Sequence, residues 1–262
     1  MPAPNDTNDL PEGVELIRNF GGCLQPSSAL VDLLVHARNT YDWPSGTGAH
    51  QSQQTILNLE ATVAHLLNKL TPSAAHAIVE QVSNWAGNNA RSHAVIEDAQ
   101  HSTKVQMQGA INLLLGASGA PGNGLNALSA LPGVSLVIAT KIYRFCLPQA
   151  GAAVDRHASY FFNSLNIVAP HQQPTKATQF LREWTNRRRT TTRLAIYSPA
   201  RYTHNRNEFT NSYLPLLSQI AGVLNALPPA PYTCAATGQP QRWRPADIEM
   251  AAYYWWACQG SR

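Results

Sequence analysis

LPGVSLVIATKIYRFCLPQAGAAVDRH, residues 131–157, decides how the chain is read. Gly133 permits a tight turn between two helices, because glycine enters positive φ without a steric cost. Leu131 and Val134 would pin that turn to a core. The helix that follows opens with backbone N–H groups that lack intrahelical acceptors, a suitable cradle for a phosphate oxygen. An apolar run holding one lysine, Lys141, comes next, then the Gly/Pro loop LPQAGAA, then Asp155 just ahead of another helical stretch. A PGV turn alone also closes ordinary helices, so the order of the whole stretch matters more than the turn.

Helical spacing dominates the surroundings. SSALVDLLVHARN starts on serine caps, and QTILNLEATVAHLLNKL repeats apolar residues every three or four positions. TPSAAHAIVEQVSNWAG opens at Pro72 and closes at Gly87. Further helices are expected at 89–99, 103–116, 125–130, 156–166 and 175–187, the last ending in NRRR. A polar loop over 189–207 should lead into EFTNSYLPLLSQIAGVLNAL, bent at Pro215, and Pro245 should open the final helix. GASGAPGNG, residues 116–124, reads as the clearest linker and boundary. No stretch alternates with period two for long enough to suggest a strand. The expected class is all-α.

Composition narrows the function. Of 262 residues, 44% are hydrophobic, so the chain is globular rather than disordered. No apolar run approaches the ~20 residues of a membrane span, and the polar, acidic start lacks the pattern of a signal peptide. A cytoplasmic protein with no membrane partner is expected. Cys23, Cys146, Cys234 and Cys258 are far apart, without the spacing of a zinc or iron–sulfur site, and are read as reduced, buried thiols. Residues 1–130 hold five Lys/Arg and ten Asp/Glu, whereas residues 131–262 hold fourteen and five. A second half at +9 against a first half at −5 suggests a polyanion partner, nucleic acid first among them. A plain solvated basic face would carry the same charges.

Hairpin LPGVS, loop LPQAGAA and the aspartate of VDRH, in that order, resemble the helix-hairpin-helix DNA glycosylase superfamily, and the last helix leans toward its 8-oxoguanine branch. The match is carried by some 35 residues. The resemblance implies one glycosylase-like domain over 1–262, with the helix-hairpin-helix at 125–147 and the loop and catalytic aspartate at 148–157. It implies two helical lobes with the active site in the cleft between them. Gly133, Val134 and Ser135 would hold the DNA backbone through their amides, although relatives place a second glycine where Ser135 stands. Relatives that also cut the strand keep their lysine at the position of Val137, one turn before Lys141.

Breaking a base–deoxyribose bond builds positive charge on the sugar, as glycoside hydrolysis does. A carboxylate beside C1′ stabilises that cation and orients water. Asp155 is the expected catalytic residue; at the start of a helix, dipole and free N–H groups would keep it ionised. A simple N-cap is the structural alternative. Lys141 is either a Schiff-base nucleophile, a donor in the base pocket, or a lysine snorkelling to water. The pocket role is preferred, since the nucleophile position is valine, and the enzyme is expected to be monofunctional.

A flipped base needs a pocket with aromatic faces and polar groups. In PADIEMAAYYWWACQ, Glu249 and Tyr253 lie one turn apart on one face, and Asp247 stands in the first turn. Glu249 would accept from an exocyclic amine such as cytosine N4. Core packing is the competing account of this helix, and Asp247 also suits a helix start. Residues 176–206 hold eight Lys/Arg and one acid, among them Arg187, Arg188, Arg189 and Arg193, which would grip phosphates. Asn88, Asn89 and Arg91 are candidates to fill the gap left by the flipped base. The expected partner is double-stranded DNA, bound by a monomer. No metal or organic cofactor is required, although hairpin carbonyls can hold a monovalent cation. The resemblance implies a substrate that is either an oxidised purine such as 8-oxoguanine or, as in bacterial relatives that defend against phage, a hypermodified base such as glucosylated hydroxymethylcytosine.

Overall fold

Helices make up most of the computed structural model, which describes residues 10–41, 43–44, 50–51, 53–87, 90–116, 121–180, 182–183, 193–194, 199–227, 232–234 and 239–259. The chain forms two compact units, one reaching to Tyr41 and resuming at Val154, the other running from Asp42 to Ala153. The first unit begins with β1 (Glu15–Arg18), β2 (Leu24–Pro26) and α1 (Ser28–Asn39). The second carries β3 (Trp43–Pro44), β4 (His50–Gln51), α2 (Gln53–Leu67), α3 (Pro72–Trp85), α4 (Ala90–Glu97), α5 (His101–Gly116), α6 (Gly122–Ser129) and α7 (Leu136–Cys146). The chain then returns to the first unit with α8 (Arg156–Ser164), β5 (Asn166–Val168), β6 (Thr175–Lys176), β7 (Arg182–Glu183) and β8 (Arg193–Leu194). After these come α9 (Pro199–Glu208), a π-helical turn (Phe209–Tyr213), α10 (Leu214–Ala226), β9 (Tyr232–Thr233), β10 (Pro240–Gln241) and α11 (Pro245–Gln259).

In the second unit, α7 is the central helix: Leu136 and every residue from Ile138 to Cys146 are buried. It packs on α2, α3 and α6, while α5 packs on α3 and α6. Stretch 116–124 is not where the chain divides. Gly124 of α6 lies so close to α5 that an added Cβ would stand 2.5 Å from Leu114 Cδ2, which places both sides of the glycine-rich stretch in one unit. The divisions fall instead at residues 41/42 and 153/154.

In the first unit, α11 packs on α1, α8 and α10. The unit also holds a four-stranded sheet in the order β2-β1-β5-β6, with β1 parallel to β5 and the other neighbours antiparallel. This sheet corrects the expectation of no strands; its longest strand has four residues, too few to write an alternating pattern. The helix expected over 175–187 is also absent: Thr175–Lys176 and Arg182–Glu183 are strands. Asn163 explains part of this. Its Oδ1 accepts from Thr178 Oγ1 at 2.7 Å and from the Phe180 amide at 3.0 Å, and its Nδ2 donates to Phe180 O at 2.8 Å. These bonds hold the segment extended against its helical spacing. Part of the expected 189–207 loop is helical instead, as α9.

Pro215 does not break its helix. The backbone widens into the π turn just ahead of it, with the Leu214 N–H donating to Phe209 O five residues back. Proline has no N–H to give and its ring crowds the carbonyl four residues earlier; a π turn relieves both.

Candidate functional site

Asp155 lies in the first unit, one residue beyond the crossing from Ala153 to Val154. Its backbone is extended, and its Oδ1 accepts from the Ala158 amide at 2.9 Å, capping α8. The side chain is not in open solvent: the residue is 9% exposed. Among the described residues Oδ2 accepts no hydrogen bond, so one oxygen serves the helix and the other is uncommitted.

A second carboxylate belongs to the same neighbourhood. Glu249, 3% exposed in the middle of α11, and Asp155 both act on the phenols of Tyr213 and Tyr253. Burial, then the charges of Glu249 and Asp155, push the Tyr213 hydroxyl well above its ordinary range. Burial, then Asp155 and Glu249, do the same to Tyr253, with Arg156 opposing. Both phenols therefore keep their protons at neutral pH. His157 stands edge-on to Tyr253, ring centroids 5.1 Å apart, and Tyr160 stacks on Trp256 at 5.8 Å and 12°. The result is two buried carboxylates surrounded by aromatic rings. Such a group can stabilise a cation, accept from an amine and stack on a flat or sugar-like ligand.

Tyr213 and His157 were not singled out from the sequence. Pro215 inside a helical pattern was the available signal for the first, since it forces the irregular turn that ends at Tyr213. His157 stands two residues after Asp155 in VDRH, but a lone histidine carries no pattern.

Asp247 is committed elsewhere, which corrects its assignment to a base pocket. Its Oδ1 accepts from Arg38 Nη2 at 2.9 Å and from the Tyr232 hydroxyl at 2.9 Å, and its Oδ2 from Arg244 Nε and the Arg244 amide, each at 3.0 Å. This third residue of the helix reaches back to the capping amide, half of a capping box. Burial would raise the Asp247 carboxyl, but Arg38 and then Arg244 overcome it and hold the group at about 2. Its role is to fasten α1, β9 and α11 together.

In the second unit, Gly133 adopts φ 79° and the Val134 amide donates to Leu131 O at 3.2 Å, closing the expected turn between α6 and α7. An added Cβ on Gly133 would stand 2.7 Å from Ser92 O, so the turn packs directly on α4. Ser135 takes the cap position of α7, its Oγ accepting from the Ile138 amide at 3.3 Å. The hydroxyl thus answers one of the first-turn amides itself, which is what a serine does there and a glycine cannot.

Lys141 is 4% exposed, which removes the snorkelling account. Its Nζ stands 5.3 Å from the Trp85 ring centroid. One turn on, Arg144 faces the same ring at 5.8 Å and Phe145 at 4.3 Å, with Glu60 at 3.3 Å. Cations over aromatic faces tolerate burial better than bare ones. The sequence marked Lys141 but not the aromatic wall or Arg144 beside it.

Of the remaining residues, Arg91 is exposed in the first turn of α4, while Asn88 and Asn89 lie outside the described residues. Arg187, Arg188 and Arg189 also lie outside them; Arg193 begins β8. Two cysteines, Cys146 and Cys234, are buried as expected, and Cys23 and Cys258 are exposed. Burial pushes the Cys146 thiol up to about 12, so it is inert. Among the described residues, no three His, Cys, Asp or Glu side chains gather where they could hold a metal, and no helix is long and apolar enough to cross a membrane. The chain matches no family model, no curated protein and no solved structure.

Proposed function

We propose that the chain is a monofunctional DNA glycosylase. One observation carries the reading: Asp155 is shielded from solvent, fixed by one oxygen at a helix start, and acts, as the buried Glu249 does, on the phenols of Tyr213 and Tyr253. In the proposed reaction the modified nucleotide leaves the stack, and the C1′–N bond breaks with its electron pair passing to the base. Asp155 stabilises the sugar cation and orients water, whose oxygen bonds to C1′ while one of its protons passes by way of the Asp155 carboxylate to the departing base. Glu249 and Tyr253 address the base, Glu249 as acceptor from an exocyclic amine. Lys141, read as a donor to the base, is buried against Trp85 in the other unit, its Nζ 5.3 Å from the ring centroid.

The duplex would be gripped by the amides around Gly133, Val134 and Ser135 and by the arginines from Arg187 to Arg193. Asn88, Asn89 or Arg91 would fill the vacated position. This chemistry needs no metal or organic cofactor; a monovalent cation on the hairpin carbonyls would steady the turn. An acidic, aromatic-rich site suits a large polar base, so glucosylated hydroxymethylcytosine is preferred over 8-oxoguanine, which implies defence against modified phage DNA. The reading takes the protein to act as a cytoplasmic monomer.

The capping bond from Ala158 to Asp155 specifically favours a second reading, a DNA-binding module in which Asp155 is structural. Abasic-site formation separates them. Wild-type protein and Asp155→Asn are incubated with duplexes carrying single modified bases and with glucosylated phage DNA. The glycosylase reading expects abasic sites from wild type and none from a variant that binds DNA equally well. No product from any substrate leaves the binding module. Borohydride trapping that yields an adduct lost in Lys141→Ala would replace the monofunctional mechanism by a lyase.

A further inference from the structure

We propose that the turn between β1 and β2 is a DNA-contact finger and that Phe20, at its tip, enters the base stack of the bound duplex. The proposal rests on the reading of duplex DNA as the partner and is independent of the role given to Asp155.

Phe20 is 97% exposed, and no other large hydrophobic residue among the described ones exceeds 48%. The turn has no need of a phenyl ring, because Asn19 and two glycines build it. The Asn19 amide donates to Cys23 O at 3.0 Å, and the Asn19 carbonyl accepts from the Gly22 amide at 2.9 Å. Its Oδ1 accepts from the Gly21 amide at 3.1 Å and the Cys23 amide at 3.0 Å. Gly22 supplies the positive φ, 80°. The backbone on both sides of Phe20 is thus fixed by Asn19, so the ring is carried on a hydrogen-bonded tip. A phenyl held in water there forgoes all the free energy that burial would return.

The sheet register places a second turn beside this one. β1 runs parallel to β5 with Ile17 opposite Val168, so both strands finish at the same end of the sheet. The turn after β5 is closed by the Gln172 amide donating to Ala169 O at 3.2 Å. In it His171 takes φ 60°, a left-handed conformation uncommon for a residue with a side chain. His171, Gln172 and Gln173 are exposed. Residues 18–23 and 169–174 together carry Arg18 and His171 and no Asp or Glu. The nearest acid, Glu15, pairs with Asn166 at the opposite end of β1.

This end of the sheet therefore offers one flat apolar ring, a cation next but one in the chain, an imidazole and two amides, without a carboxylate. A partner that is anionic outside and flat and apolar inside matches that set, and nucleic acid is built so. Minor-groove proteins open base steps with single apolar wedges while cations hold the neighbouring phosphates. Arg18 supplies the cation, and His171 with the glutamines supplies hydrogen bonds to the backbone. A membrane surface or a second copy of the chain would call for a contiguous apolar patch. Phe20 is instead flanked by Asn19 and Gly21, and Ile17, back on the strand, is 44% exposed.

Phe20→Ala removes the ring from a position that packs on nothing, so its urea unfolding should match wild type. Its affinity for duplex DNA should fall by about 5- to 100-fold, the range of one lost base–aromatic stack. The factor should be similar from about 50 to 200 mM salt, because a ring releases no counterion, whereas Arg18→Gln should lower the magnitude of the salt slope by about 0.9. p-Benzoylphenylalanine placed at position 20 should cross-link to the duplex on irradiation.

Wild-type duplex affinity in Phe20→Ala, or a position-20 photoprobe that leaves DNA unlabelled, overturns the proposal and leaves the glycosylase intact. Self-association or binding to anionic phospholipid vesicles that is lost in Phe20→Ala, with duplex affinity unchanged, overturns it too and assigns the ring to a second copy or a membrane surface. A protein that binds duplex through Phe20 but makes no abasic site removes the glycosylase and keeps the finger. A wild-type protein without affinity for duplex DNA removes both.

Discussion

The cap that Asp155 forms and the charge that the proposed reaction asks of it are separated by different substitutions. As a cap it accepts from the Ala158 amide. Asparagine caps about as well as aspartate, so Asp155→Asn should change the unfolding free energy by less than about 0.5 kcal/mol, whereas Asp155→Ala should cost about 1 kcal/mol. Both should lose excision by at least about 100-fold, because neither carries charge. Urea unfolding beside abasic-site assays reads the two apart; stability and activity falling together in both variants would make Asp155 a cap alone. Asp247 gives the complementary case, a carboxylate whose bonds to Arg38, Tyr232 and Arg244 support the fold. Its folded value of about 2 lies below the ordinary 3.8, so the stability it adds is present above about pH 4 and is lost as pH falls through 2. The shift corresponds to about 2 kcal/mol at most. Asp247→Asn should show a smaller loss of stability between pH 4 and pH 2 than wild type, and should be less stable at pH 7 by about 3 kcal/mol or more, since Arg38 keeps a buried charge without its counter-ion. Equal pH profiles for the two proteins would contradict this.

Elements carry the next set of consequences, and the turn at Gly133 is the clearest. Its φ of 79° and the 2.7 Å gap to Ser92 O forbid a side chain on two independent grounds. Gly133→Ala should destabilise the protein by about 1–3 kcal/mol and, by shifting the hairpin off α4, weaken DNA binding. Retained stability with lost binding would confine the effect to the phosphate contact; retention of both would remove the hairpin from the interface. This turn was legible in the sequence because Gly133 stands between the apolar anchors Leu131 and Val134, ahead of a long helical run. Most helices were legible too, α1 and α3 by their Ser27 and Thr71 caps and α7 by its apolar run. The sheet was not, since strands of two to four residues are shorter than the pattern that reveals them. Nor was the segment around 175–180, where bonds from Asn163, distant in the pattern, outweigh local helical spacing. Asp155 was named for its place after the hairpin and the Gly/Pro loop, and the structure shows it capping α8. Tyr213 could not be named that way, because its relation to Asp155 and Glu249 exists only after the helices pack. Asp247 was misread for the same reason: its partner Arg38 is 209 residues away.

Over the whole molecule, the two units even out much of the charge contrast between the halves of the sequence. The unit from Asp42 to Ala153 holds five Lys/Arg and five Asp/Glu, a net of zero, while the rest of the chain holds fourteen and ten, a net of +4. The hairpin therefore sits in the neutral unit, and the arginines of 176–206 in the charged one. If both grip the duplex, they do so by different physics. A backbone amide on a phosphate oxygen neutralises no charge and releases no counterion, whereas each arginine on a phosphate releases one. The slope of log affinity against log salt should then report the arginines alone. Replacing Arg187, Arg188 and Arg189 together by alanine should lower the magnitude of that slope by about 2–3 on duplex DNA, at about 0.9 per phosphate contact. Gly133→Ala should lower affinity by a similar factor at every salt concentration and leave the slope as it was. Fluorescence titrations of both variants from about 50 to 200 mM salt make the comparison. A hairpin variant that flattens the slope would mean that cations of the neutral unit, such as Arg91, carry the phosphate contacts; an arginine triple variant with an unchanged slope would take that segment off the DNA.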